Sequence, residues 1–283
     1  MRCSALSDAL DEPMIGSVDQ RIRWLLVEDR SAWGTRAVRD VLGAELEAQA
    51  KARKVRLLLV RRREGDPAAD AVRRVFLVDT EARRMAVRSV TDLGELPGLL
   101  NASLADFGAP LADPIFLVCT NGKRDSCCAL RGRALVGALA SEHAERVWEC
   151  THLGGHRFAG NLVCLPDGIV YGRVTAADGP RLARDFVAGR LDPSSLRGRS
   201  AWPAPAQVAE VALRQELGLF GLDDVSLVRA DVSADRATVI LATPDGEEHR
   251  LELEATPVDP PRPTSCRGDE LERPVHWSAV SAS

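Results

Sequence analysis

The stretch VCTNGKRDSCCALRG, residues 118–132, places Cys119, Cys127 and Cys128 in one loop with Lys123, Arg124 and Asp125. Thiols at this density serve as a redox disulfide, a catalytic nucleophile or part of a metal site, and the cysteines alone leave all three open. A dithiol oxidoreductase wants C-x-x-C at a helix start, and that spacing is absent from the chain. Vicinal Cys127 and Cys128 could form only a strained disulfide. About two dozen residues on, ECTHLGGHRFAGN (residues 149–161) adds His152 and His156 as H-x-x-x-H. On a helix that spacing would put both rings on one face, as in zinc proteases. Here Gly154 and Gly155 stand between them, and each glycine costs a helix interior roughly 1 kcal/mol. No glutamate follows the first histidine, so the general base of H-E-x-x-H is missing. The segment reads instead as a glycine loop that lets the backbone pass close to something bulky.

Two thiols and two imidazoles make a four-ligand set suited to zinc or to an iron–sulfur cluster. Zinc knuckles space paired cysteines by about two to four residues, so the C-x8-C of Cys119 and Cys128 is wide for one. A two-iron cluster is larger than one ion and suits the wider loop. A peroxiredoxin-like thiol would leave HLGGH without a role. Cys127 reads as a helix-start thiol that points away from the site. Cys150 and Cys164 lie in apolar runs and read as packed thiols, while Cys3 and Cys266 fall in ends expected to be flexible.

CTNGKRDSCC followed by HLGGHRFAGN resembles the sucrase/ferredoxin-like family, whose pattern is C-x8-C and then H-x-G-G-H-x-F-A-G-N; both halves are intact here. The motif covers about forty-five residues, and weaker similarity, as in WLLVE…WG and SC…PVHW, extends over most of the chain. The resemblance implies one [2Fe–2S] cluster held by Cys119, Cys128, His152 and His156, in an electron carrier or redox sensor rather than a catalyst with its own substrate. Around those ligands, Lys123, Arg124 and Arg157 are expected to stabilise the reduced cluster and steer an acidic partner. Gly154 and Gly155 give the loop its path, Phe158 packs the core and Asn161 pins the loop through its side chain. Two other classes stay open: a zinc-stabilised interaction module, and a thiol-dependent oxidoreductase without a cluster.

Such a site needs a scaffold, and the chain reads as strand, helix, strand, strand, strand, helix, twice. RIRWLLVE is a strand and TRAVRDVLGAELEAQAKARK an amphipathic helix; VRLLLVRR, RRVFLVD and RMAVRSV are strands, and a helix runs from Asp92 to Leu104. DPIFLVCT begins the second round, with a helix from about Cys128, the strands RVWEC, NLVCL and IVYGRV, and a helix from Asp178 that Gly189 ends. A strand–helix–strand crossover gives parallel neighbours and a tight hairpin gives antiparallel ones, so the mixed sheet resembles the thioredoxin-like fold. The fold class expected is thus α/β to α+β: two tandem thioredoxin-like units, 18–109 without ligands and 110–196 with the cluster site, after a loose leader at 1–17. The loop of the first unit, EDRSAWGTR, has neither Cys nor His and reads as structural. RGRSAWPAPA reads as a Pro-containing linker from Arg197 into a helix and three-stranded meander at 197–258, and the proline-rich tail at 259–283 as irregular.

Bulk properties narrow the function classes. At 283 residues with 45% hydrophobic content the chain can bury real cores, and a net charge of −4 argues against a general nucleic-acid binder. The arginines at positions 61–63 read as a solvated strand end. The longest apolar runs are too short to cross a bilayer, and the acidic N-terminal stretch is no signal peptide. The expected address is cytoplasmic, where seven cysteines are reduced, ligating or catalytic rather than a disulfide framework. The expected partner is an unidentified redox protein, with neither nucleic acid nor membrane; the sequence carries no signal for oligomeric state.

Overall fold

The computed structural model describes residues 2–62, 72–266 and 271–280. Arg63, the turn expected at 64–70 and parts of the tail, 267–270 and 281–283, lie outside the described residues. Helix α1 (Cys3–Ala9) leads into β1 (Arg23–Glu28), α2 (Ala37–Leu42), α3 (Ala44–Ala52), β2 (Arg56–Arg61), β3 (Arg73–Asp79), β4 (Arg84–Val90), α4 (Leu96–Leu99), α5 (Leu104–Phe107) and β5 (Ala109–Pro110). A second series follows: β6 (Ile115–Cys119), α6 (Ser126–His143), β7 (Val147–Cys150), β8 (Leu162–Leu165), β9 (Ile169–Tyr171), α7 (Gly179–Val187) and β10 (Leu196–Arg199).

These strands form one ten-stranded mixed sheet in the order β10-β9-β8-β6-β7-β2-β1-β3-β4-β5. β1 runs parallel to β2 and antiparallel to β3, as β6 runs parallel to β7 and antiparallel to β8. The two halves therefore share strand order and sense. They meet edge to edge where β2 pairs with β7 through Val60↔Cys150 and Arg61↔Glu149. The period-two alternation of the strands sorts their side chains into two layers. Trp24, Leu26, Leu58 and Phe76 join Leu117, Cys119, Trp148 and Val163 in one core shared by both halves. On the opposite face Leu25, Val27 and Leu59 pack under the helices of the first half, and Phe116 and Val118 under α6 and α7.

Several expected elements change shape. The long helix after β1 breaks in two at Gly43, whose φ of +89° suits a residue without a Cβ. Asp92 does cap a helical turn, its carboxylate accepting from the Gly94 N–H at 2.8 Å, but the helical stretch stops at Leu99 and α5 restarts after Ser103. The leader is not loose, since α1 buries Cys3 and Ser7, and Arg173 donates to the carbonyls of Ser7 and Glu12. A seven-residue helix is too short for periodicity to reveal it.

The stretch expected to be a linker from Arg197 is the edge strand β10, with Arg197, Arg199 and Ser200 buried. After it, α8 (Ala204–Leu217) packs on a small antiparallel sheet of β11 (Ser226–Val232), β12 (Arg236–Ala242), β13 (Glu248–Pro257) and, beyond the short β14 (Arg262–Pro263) and β15 (Leu271–Glu272), β16 (Val275–Ala279). The tail expected to be irregular thus supplies a fourth strand, because its prolines stop short of β16. Buried Glu210 of α8 receives Arg199 Nε at 2.7 Å and Arg214 Nε at 3.0 Å, locking the helix to the large sheet. Glu210→Ala should destabilise the chain by about 3–5 kcal/mol by leaving two buried cations without their partner, read as a lowered denaturant midpoint. Among the described residues no helix is long and apolar enough to cross a membrane.

Candidate metal centre

β6 ends on Cys119, and the chain turns through Asn121 and Gly122 before α6 opens with Cys127 and Cys128 in its first turn. Asp125 is the N-cap, its carboxylate accepting from the Cys127 N–H at 2.9 Å. The loop is braced from the first half of the molecule: Asn121 donates to the Gly34 carbonyl at 3.1 Å, and the Thr35 hydroxyl to the Lys123 carbonyl at 3.2 Å. That bracing loop carries no ligand. Its Asp29 carboxylate instead accepts from Arg73 at 2.7 Å and Trp33 Nε1 at 3.0 Å.

The histidine loop arrives from β7 on the same side. Gly155 has φ +65°, and a Cβ there would overlap the guanidinium of Arg197. Asn161 fixes the loop as expected, donating to the Gly155 carbonyl at 3.0 Å while its own carbonyl accepts from Arg197 at 2.8 Å. Arg197 also reaches Ser17 O at 2.8 Å, so a cation 3% exposed underlies the whole turn. Burial, then the charges of Arg157 and Arg56, push Arg197 down to about 9, which still leaves it protonated near neutral pH. The sequence hid this residue by placing it in an apparent linker.

All four residues singled out as ligands come together. The Cys119 thiol lies against Cys128 and His152, the Cys128 Sγ is 3.6 Å from His156 Nδ1, and the two imidazoles stack 3.9 Å apart between centroids. Cys119 and Cys128 are each 2% exposed and His156 8%, while His152 is half-buried and opens onto a cleft. The hydrogen bond from Cys128, with His152 and the Leu153 N–H alongside, holds Cys119 well below the ordinary thiol range despite its burial. The same bond and burial push Cys128 up. His156 is pushed down to about 3, first by burial and then by the neighbouring His152, so its ring is neutral, the form a metal requires.

Asp125 was the residue that sequence reasoning passed over. It is fully buried, with its carboxylate 4.0 Å from His156 Nδ1. Asp125, Cys128 and His156 offer donor atoms within 4.8 Å of one another, a buried group that could hold a metal ion. The available signal was its place as an N-cap before a cysteine-opened helix.

The basic residues divide. Arg124 and His152 line a cleft of about 890 Å³ whose walls carry eight Lys or Arg, among them Arg21, Arg36, Arg53 and Arg56, against the single acid Glu47. Lys123 is exposed and is not among the residues lining that cleft. Arg157 does not face it either; its guanidinium pairs with Glu12 at 2.7 Å and lies over the Phe158 ring. Cys150 and Cys164 are packed thiols of the two main cores. Cys127 does turn away from His156, but towards Cys3, buried in α1, and half-buried Cys266.

The pattern of the sucrase/ferredoxin-like family matches residues 14–198, about two thirds of the chain and both halves of the large sheet. The chain belongs to the sucrase/ferredoxin-like family. It is 33% identical over 79 residues to "Altered inheritance of mitochondria protein 32" of Meyerozyma guilliermondii, a match over 24% of this chain and 28% of that protein. No solved structure matches it. The sucrase/ferredoxin-like match ends within β10, so α1 before it, and α8 with the small sheet after it, lie outside the family region.

Proposed function

We propose that Cys119, Cys128, His152 and His156 hold a [2Fe–2S] cluster and that the protein is an electron carrier or redox sensor. What carries the reading is the convergence of two thiols and two imidazoles from the two halves of the family motif onto one spot. When bound, such a cluster stores one electron. The chain's own groups suit that task. Cys119 is held in its thiolate range, His156 is kept neutral, and the Leu153 N–H points at the Cys119 sulfur. Buried Arg197 and the Arg56 guanidinium, which donates to the His152 carbonyl at 3.1 Å, place positive charge behind the site. Added negative charge there is stabilised by both.

The scaffold reading belongs with this proposal: residues 18–109 and 110–196 are tandem thioredoxin-like units, supported by their identical strand order and sense. The first is a structural brace and the second carries the ligands.

The rival is a single zinc ion, which the 3.6 Å approach of Cys128 to His156 would also suit. The visible and EPR spectra of anaerobically purified protein separate the two. A brown chain with two irons and two sulfides, EPR-active after one-electron reduction, is expected; a colourless chain with stoichiometric zinc bound by both histidines overturns the proposal.

His152 borders the basic cleft, so electrons enter and leave on that side and the partner is an acidic redox protein. Electrostatic steering speeds such encounters by about 10–10³-fold and weakens as salt rises. Arg36→Glu with Arg124→Glu should slow electron exchange with an acidic ferredoxin-type partner at least tenfold at low ionic strength and abolish most of its salt dependence. Stopped-flow rates across a salt series are the measurement, and an unchanged rate would show that the cleft is not the docking face.

A further inference from the structure

On the far side of the first turn of α6, three further thiols close on one point. The Cys127 and Cys266 sulfurs are 3.2 Å apart, Cys266 and Cys3 3.4 Å, and Cys3 and Cys127 3.7 Å. The Asp125 carboxylate completes the group, with all four donor atoms within 4.8 Å of one another. We propose that Cys3, Cys127, Cys266 and Asp125 form a structural zinc site, separate from the iron site and clamping both ends of the chain to the helix that presents Cys128.

Spacing favours one ion. Zn–S bonds of about 2.3 Å put the sulfurs of a tetrahedral site about 3.8 Å apart, close to the separations seen. The sulfurs are too near one another to embrace a multinuclear cluster, and a disulfide of about 2.05 Å would use two of them and strand the third. An ion uses all three.

Hydrogen-bond donors surround the sulfurs. The Cys3 N–H points at Cys266 Sγ at 3.4 Å, Ser4 donates towards Cys127, and Ser126 towards Cys266. Cys127 also sits at the positive end of an 18-residue helix. The Asp125 carboxylate is fixed in place by the N–H groups of Cys127 at 2.9 Å and Cys266 at 2.8 Å. Its Oδ2 accepts from the Cys266 N–H and the Ser265 hydroxyl, while its Oδ1 accepts the Cys127 N–H and keeps a lone pair for a metal. Binding would displace the thiol protons to solvent.

A buried ion pair brings the same two segments together independently of any metal. Glu12, just beyond α1, pairs with Arg262 of β14 at 3.2 Å, and both are buried. Cys3 and Cys266 both lie outside the matched family region at 14–198, so the family match by itself assigns this site no role.

The test is metal content by plasma mass spectrometry after reduction, chelation and reconstitution with zinc alone. Cys119→Ser/Cys128→Ser, which cannot bind at the iron site, should still hold one zinc per chain and lose it when Cys3→Ser or Cys266→Ser is added; Cys3→Ser and Cys266→Ser alone, purified anaerobically without chelation, should keep their iron. If the double variant fails to fold, zinc-edge EXAFS on the wild-type chain with its iron in place gives the same answer. Three sulfurs and one oxygen around zinc support the site. Two sulfurs and two imidazole nitrogens overturn it, as does a double variant that binds no zinc or an unreduced chain two hydrogens light at these cysteines. Failure of the cluster proposal would appear as missing iron and leave this zinc readout standing.

Discussion

Cys128→Ser should yield protein without iron, whereas Cys127→Ser should keep its iron and lose its zinc. Neighbouring residues on a helix point about 100° apart, so these two thiols leave α6 in different directions. Cys128 faces Cys119 and His156, with its Sγ 3.6 Å from the imidazole nitrogen. Cys127 faces Cys3 and Cys266. A serine hydroxyl is close to a thiol in size but stays protonated and hard where iron and zinc want a soft anion, so substitution removes the ligand with little change in packing. Iron and zinc per chain, with the visible spectrum, decide the matter. Reversed outcomes would mean that the loop is aligned one residue out and would transfer the iron site to Cys127.

The second large effect is on potential. Two ferric ions, two sulfides, two thiolates and two neutral imidazoles sum to zero formal charge, while a four-thiolate cluster carries two extra negative charges that oppose an electron. His₂-ligated Rieske centres run from about −150 to +300 mV against about −400 mV for plant-type ferredoxins. The wild-type chain should therefore titrate above about −150 mV. Arg197, buried and still a cation with its pKa pushed down to about 9, acts in the same direction. His156→Cys, if the cluster assembles, should lower the midpoint by on the order of 100 mV, because one added charge is half the difference between the two classes. His152→Cys should do so less, since its position beside the open cleft lets water screen the added charge. Spectroelectrochemical titration of the three proteins is the measurement. A wild-type midpoint near −400 mV would rule out ligation by both histidines.

The four ligand candidates were legible without any structure because coordination chemistry limits which residue types can serve and the family motif fixes their spacing. The sense of neighbouring strands was legible too, though not the joining of both halves into one sheet through β2 and β7. Buried strands carry the apolar runs, and the crossover and hairpin lengths set the sense of each pairing, as β1–β2 and β6–β7 bear out. Helix ends were less so. Gly43 splits a continuous amphipathic pattern through a backbone conformation that a period of 3.6 does not record.

What only the tertiary structure decided was which distant residues share a point. Arg197 looked like linker because the polar, glycine-containing run around it has no apolar signature, yet β10 lays it under the histidine loop, where Asn161 and backbone carbonyls satisfy it. Cys3 and Cys266 stand 263 positions apart in sequence, and nothing local to either records the other. Chain connectivity carries local propensity, but it does not encode the closure of so long a loop. That closure rests on α1 packing at the histidine loop and on the buried pair Glu12–Arg262, contacts whose free energy exists only once the whole chain is folded.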